Sequence, residues 1–312
     1  MAVRTDDLAE RLVAHLEEPR AAPRLLYKYL APERIDVLQN AHIRFTQLCG
    51  TNDAFEVRRT VNTFFGPRME ALVRESFEGE QLESRCIELL ATKLGITREQ
   101  AEALFNEHRG TAPFKAMMAT MTDQLEHLVG TVFPTALGDP EFIMRILTDF
   151  ASGGAALSLS EDPHIPMMWA HYAANWAGFV LSFDTKDPSL IPSKANGSTF
   201  FPIQYRDEPV EEMFDDPIGV FFSKQTGWAY EREWRKIIGP EQADTTLPAE
   251  PDDIYLKKFR RSAVERVIVG HRATAAFIDD LRQVLRDYPE AGFFMARPEP
   301  SQGKVIEVEL ER

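Results

Sequence analysis

Apolar residues in this chain change their spacing twice, and a strand period and a helix period cannot share one element. Leu25–Leu30 (LLYKYL) and His42–Thr46 (HIRFT) read as strands on either side of a short helix, Pro32–Asn40. From about Phe55 to Phe150 the alternation disappears and apolar residues recur at threes and fours. After Gly153 and Gly154 strand signals return at Ala155–Ser160, Gly178–Phe183, Thr199–Tyr205, Trp234–Ile238, Ile254–Phe259, Val264–Val269, Gly292–Ala296 and Val305–Leu310. The pattern predicts an α+β fold: a mixed, mostly antiparallel β framework carrying a large, mainly helical insertion at about 55–150, between its second and third strands. An amphipathic opening, Asp6–Leu16, and the alanine/proline stretch from Pro19 to Pro23 predict a peripheral helix over 1–23, ahead of a single domain over 24–312.

Local signals mark individual elements. Thr97-Arg98-Glu99-Gln100 is a capping box, in which hydroxyl and amide satisfy free N–H groups at the start of a helix carrying Ala101, Leu104 and Phe105. Thr274 is placed to cap a helix running to Arg286, and Asn196-Gly197-Ser198 reads as a turn between strands. The stretch His164–Phe183 carries no charge over a length that could cross a bilayer. Pro166, two histidines, Asn175 and Gly178 argue instead for a buried helix running into a buried strand.

Charge narrows the partners. With 35 basic and 49 acidic residues the formal net charge is -14, and a field of that sign repels a polyphosphate backbone at long range while leaving a local basic site possible. The two cysteines, Cys49 and Cys86, make neither a disulfide framework nor a metal or redox pair, and no secretory segment opens the chain. The expectation is a cytoplasmic protein with no membrane partner. Glycine-rich dinucleotide and P-loop fingerprints, H-E-x-x-H and G-x-S-x-G are all missing, which argues against Rossmann dehydrogenases, P-loop ATPases and zincins.

The densest chemistry is in Tyr230-Glu231-Arg232-Glu233-Trp234-Arg235. As a strand it puts Glu231, Glu233 and Arg235 on one face and Tyr230, Arg232 and Trp234 on the other. Paired carboxylates repel, and the repulsion is relieved by Arg235, by a cationic ligand or by protonation of one acid; the plain alternative is a solvated edge. A second cluster, Met167 to Tyr172 with Asn175 and Trp176, places Met168, His171, Tyr172 and Asn175 on one helical stripe, a surface for a planar ligand or an ordinary core face. Ser158 and Ser160 share a strand face, and Lys28 lies opposite Tyr27 and Tyr29. The basic run Lys257-Lys258-Phe259-Arg260-Arg261 reads as a solvated strand end that could also hold a phosphate. No cysteine has zinc-site spacing, and the seven-residue gap between His164 and His171 is not a metal-site signature.

In order along the chain, LLYKYL, GTNDAF, MMWAHYA, GFVLSFD and YEREWR resemble the segments of the bacterial family catalogued as domain of unknown function twenty-nine seventy-one, over about Leu25 to Gly270. That family label implies no activity. A looser resemblance, to ADP-ribosyltransferases of the Arg, Ser-x-Ser, Glu-x-Glu type, rests on Lys28, then Ser158 and Ser160, then Glu231 and Glu233 in the same order. It implies an ADP-ribosyltransferase-like fold and NAD as substrate. Lys28 would hold the phosphates or ribose, Ser158 would order the site, Glu233 would stabilise the oxocarbenium-like transition state, and Glu231 would activate the acceptor. Trp169 or Tyr172 would stack on nicotinamide, with Tyr29, Ser160, His171 and Arg235 completing the substrate-binding set.

Three functions follow as expectations. The first is NAD-dependent ADP-ribosyl transfer to a protein or nucleic-acid acceptor, as a toxin or phage-defence effector. The second is a metal-dependent nuclease or hydrolase using Asp53, Glu231 and Glu233, and the third is a non-enzymatic sensor binding a small ligand on the His171 stripe.

Overall fold

The computed structural model describes residues 21–48, 79–127, 131, 154–190, 200–208, 219–249 and 253–312. The peripheral helix expected over 1–23, Asp53 and the Asn196-Gly197-Ser198 turn lie outside the described residues, apart from residues 21–23. The chain forms two compact units, one from Met1–Val57 with Thr148–Arg312 and one from Arg58–Leu147. No helix among the described residues is long and apolar enough to cross a membrane.

The first unit is α+β. It begins with β1 (Leu25–Leu30), a 3-10 turn (Pro32–Ile35), α1 (Asp36–Asn40) and β2 (His42–Gln47). The second unit contains α2 (Gly79–Leu94), α3 (Arg98–His108) and α4 (Ala112–His127). Thr97 caps α3 in the expected box, its hydroxyl taking the Gln100 N–H while the Gln100 side chain takes the Thr97 N–H. Ala101 and Phe105 of α3 pack with Ile87, and Phe105 meets Phe114 edge-on at 5.0 Å.

The chain returns to the first unit in β3 (Ala155–Ser160), α5 (Pro166–Tyr172) and β4 (Phe179–Asp184). The run Thr199–Tyr205, expected as one strand, forms two short ones, β5 (Phe201–Pro202) and β6 (Gln204–Tyr205). They belong to different sheets, because Ile203 between them gives its N–H to the Glu233 carbonyl while β6 turns away to pair with β7 (Ser223–Lys224). Then follow β8 (Glu233–Ile238), β9 (Thr245–Leu247), β10 (Ile254–Lys258), β11 (Val264–Gly270), α6 (Ala275–Leu285), β12 (Gly292–Glu299) and β13 (Lys304–Glu309). Thr274 caps α6 by accepting the Phe277 N–H.

Eleven strands form one sheet in the order β13-β12-β11-β4-β1-β3-β2-β10-β9, with β8 and then β5 joined through β3. All its pairs are antiparallel except β11 with β12, which α6 connects. A core under one face gathers Leu26, Phe45, Leu157, Phe179, Phe183, Val267 and Leu281. The other face carries Tyr29, Met168, Trp169, Trp176, Val180 and Ile268.

The sheet divides at β3. One edge of β3 pairs with β8 over its whole length, from Ala155↔Ile238 to Ser160↔Glu233. The other edge is shared: β1 meets it at Tyr27↔Ser160, and β2 meets it at Thr46↔Ala156 and Gln47↔Ala155. Leu157, Ser158 and Leu159 therefore face a gap between β1 and β2. The Lys28 ammonium enters that gap and donates to the Ser158 carbonyl at 3.0 Å, satisfying an acceptor that strand pairing leaves open.

Candidate functional site

The split in the sheet opens into a pocket of about 150 Å³. Its walls come from β1 (Tyr27, Lys28, Tyr29), β2 (Thr46), β3 (Ala156, Ser158, Leu159, Ser160), α5 (Met168, Tyr172), β7 (Lys224), the 3-10 turn Thr226–Glu231 (Glu231) and β8 (Glu233, Arg235). Of the residues singled out in the sequence, Lys28, Tyr29, Ser158, Ser160, Tyr172, Glu231, Glu233 and Arg235 are brought together here.

The Glu-x-Glu segment reaches the pocket by a route that strand alternation does not give. Glu231 closes a 3-10 turn, Arg232 is left-handed at φ 44°, and β8 begins only at Glu233. The expected strand Trp234–Ile238 is present as β8, while the residues ahead of it, which a continuous strand would have included, form a turn and a reversal. The left-handed residue swings Arg232 out to Asp162, at 3.2 Å, and leaves both acids pointing inward, Glu231 3% and Glu233 4% exposed. Trp234, on the opposite face of β8, is buried in the core with its indole N–H on Glu161 Oε2 at 3.0 Å. Tyr230 lies outside, its hydroxyl 3.0 Å from His171 Nδ1.

Every carboxylate oxygen of the pair is engaged. Glu233 accepts from Arg235 Nε at 2.9 Å and Arg235 Nη2 at 3.2 Å, and lies 2.6 Å from the Lys224 ammonium. Glu231 accepts from Lys224 at 2.7 Å and from the Tyr172 hydroxyl at 2.5 Å. Arg235 also donates to the Phe221 carbonyl, and the Tyr205 hydroxyl accepts the Glu233 N–H at 2.7 Å. Burial alone would raise the Glu233 carboxyl, but Arg235 and Lys224 outweigh it and hold the group down at about 2. Burial lowers the Lys28 ammonium to about 8, partly opposed by Glu233. The Tyr205 and Tyr29 hydroxyls are pushed up by burial, so both stay neutral.

Three expected site residues stand elsewhere or in altered surroundings. Trp169 is fully buried in the core rather than in the pocket, stacked on Trp176 at 5.0 Å with its indole N–H on the Pro163 carbonyl. It cannot stack on a ligand without that core opening. His171 is exposed on α5 and does not line the pocket. The stripe through Asn175 fails because α5 ends at Tyr172 and Ala174, Asn175 and Trp176 are all left-handed, leaving Asn175 exposed. Gly178 then brings the backbone so close to the Leu30 carbonyl that a Cβ would collide with it.

Lys224 and Tyr205 are the functional residues that sequence reasoning missed. Each is isolated in its segment, with no periodicity or spacing to mark it. Their importance arises from the β6–β7 pairing, in which Tyr205 stands opposite Lys224. Among the described residues no group of three or more His, Cys, Asp or Glu is arranged to hold a metal ion. The place between the two carboxylates that a divalent cation would take is filled by the Lys224 ammonium. Comparison with protein families, curated proteins and solved structures finds no match for this chain.

Proposed function

We propose that the pocket cleaves the N-glycosidic bond of NAD and transfers the ADP-ribosyl group to an acceptor. The supporting observation is convergence: Lys28, Ser158, Tyr172, Glu231 and Glu233 come from separate stretches of the chain and line one pocket. Breaking the bond to nicotinamide develops positive charge on the ribose, so a fixed carboxylate acts mainly in the transition state. Glu233 is suited to that role because Arg235 and Lys224 keep it ionised whatever the pH near neutrality.

Lys28, Lys224 and Arg235 against Glu231 and Glu233 leave the pocket locally cationic within an acidic chain, which favours a diphosphate. The volume of about 150 Å³ encloses the reacting end of a dinucleotide and leaves the rest outside, since pockets that bury a whole ligand of that size are roughly 300 Å³ or more. Glu231, with its proton-carrying neighbour Tyr172 at 2.5 Å, is the group placed to activate an acceptor hydroxyl or amine. The same geometry disfavours a metal-dependent hydrolase, because two of its three expected ligands, Glu231 and Glu233, are already paired with side-chain cations.

Nicotinamide release from labelled NAD, measured with protein, RNA and DNA acceptors in turn, tests the proposal. The expected result is release that falls roughly 100-fold or more in Glu233→Gln. Absence of release from the wild-type protein with every acceptor, or an undiminished rate in Glu233→Gln, overturns it.

A further inference from the structure

The pocket holds two buried acids side by side, an arrangement that in an apolar surrounding drives one of them to take up a proton. Here a single ammonium bridges them. Lys224 Nζ is 2.7 Å from Glu231 Oε2 and 2.6 Å from Glu233 Oε2, with its side chain buried against Trp228, whose ring centre is 5.6 Å from the nitrogen. We propose that Lys224 is the positioning residue of this site, clamping Glu231 and Glu233 as an ionised pair at a fixed spacing. The inference deepens the reading of the pocket as a glycosidic-bond site and rests on that reading for its effect on catalysis.

The two acids are not equally dependent on it. Glu233 has a second cation, since Arg235 holds both of its oxygens. Glu231 has Tyr172 as its other partner, a neutral donor. Lys28 on β1 faces the pair, with Arg34 acting on Lys28 from the turn beyond, while Tyr205 on β6 faces it as a phenol and Tyr230 on the 3-10 turn feels the charge of Glu231 from outside the pocket. Removing Lys224 therefore leaves Glu231 beside the charge of Glu233 with Lys28, which makes no ion pair with it, as the remaining cation, and Glu231 is the acid expected to take up the proton.

The fold also delivers Lys224 to this point by a dedicated device. β6 and β7 form a two-stranded parallel ribbon outside the main sheet, with Tyr205 opposite Lys224. Tyr205 fixes the Glu233 N–H and Lys224 fixes the Glu233 carboxylate, so one short ribbon holds both ends of that residue.

Isotope-edited infrared titration of glutamate-labelled protein tests the clamp without requiring turnover. The wild type and Lys224→Arg are expected to show no protonated buried glutamate at pH 6. Lys224→Met is expected to show one, and Lys224→Met combined with Glu231→Gln is expected to lose it again. If nicotinamide is released, the acid limb of its pH profile moves up by at least about one unit in Lys224→Met and is restored in Lys224→Arg. Should Lys224→Met fail to fold, the double variant, which removes both the ammonium and the acid it serves, is expected to fold and show no protonated glutamate. A Lys224→Met protein whose glutamates titrate as in the wild type overturns the inference. Absence of nicotinamide release from the wild type overturns the glycosidic reading alone, because the infrared result stands independently of it.

Discussion

Lys28, Lys224 and Arg235 line the pocket, and Lys257, Lys258, Arg260 and Arg261 line a groove at the end of β10. The residue types are the same and the surroundings are opposite. In the pocket Arg235 is 1% exposed and Lys224 8%, and the bonds they make to carboxylates are 2.6 to 3.2 Å long. In the groove Lys258, Arg260 and Arg261 are exposed, Lys257 bonds Asp244 at 3.0 Å, and Arg261 reaches Asp287 at 3.5 Å. Water screens the second group and not the first, so the same charges constrain the pocket tightly and the groove hardly at all. Charge density in the sequence is thus a poor guide to where charge matters. The denser run, Lys257–Arg261, is the solvated one.

The strongest way to break this contrast is to remove one buried acid. Glu233→Gln takes a carboxylate away from the buried Arg235 and leaves Lys224 with Glu231, and is expected to cost about 3–5 kcal/mol in denaturant unfolding. A loss below about 1 kcal/mol would mean that the pocket is as well solvated as the groove.

Acid sharpens the same point. Because the folded Glu233 carboxyl lies at about 2, below its ordinary 4.5, its contribution is complete above 4.5 and is lost as pH falls toward 2. The gap in melting temperature between wild type and Glu233→Gln is therefore expected to close over that interval. A gap that stays constant down to pH 2 contradicts the ionised pair.

Tyr172→Phe removes a hydrogen bond to the buried Glu231 and is expected to cost about 1.5–3 kcal/mol by the same unfolding measurement. Lys258→Ala and Arg260→Ala, in the groove, are each expected to change stability by less than about 0.5 kcal/mol. An effect there as large as that of Tyr172→Phe would erase the distinction between the two regions.

Much of the framework was legible because it is local. HIRFT alternates over β2, and Thr97 and Thr274 announce the starts of α3 and α6 by the hydrogen bonds their own side chains make. Legibility failed where a backbone reversal intervened. Arg232 interrupts the supposed strand of YEREWR, and the left-handed run Ala174–Trp176 ends the stripe that was to carry His171 and Asn175 into the site. Periodicity assumes one conformation repeated, and a single left-handed residue voids it.

By itself the sequence determined the α+β class, the bounds of most strands and the candidate set Ser158, Ser160, Glu231 and Glu233, since alternation and capping depend on residues a few positions apart. Tertiary structure alone decided that Trp169 belongs to the core, that the gap beside Ser158 admits Lys28, and that Lys224 stands between Glu231 and Glu233. Those outcomes depend on which strands pair and where the pairing parts, a choice made by burial and hydrogen bonding across the whole sheet, which no short window of residues contains.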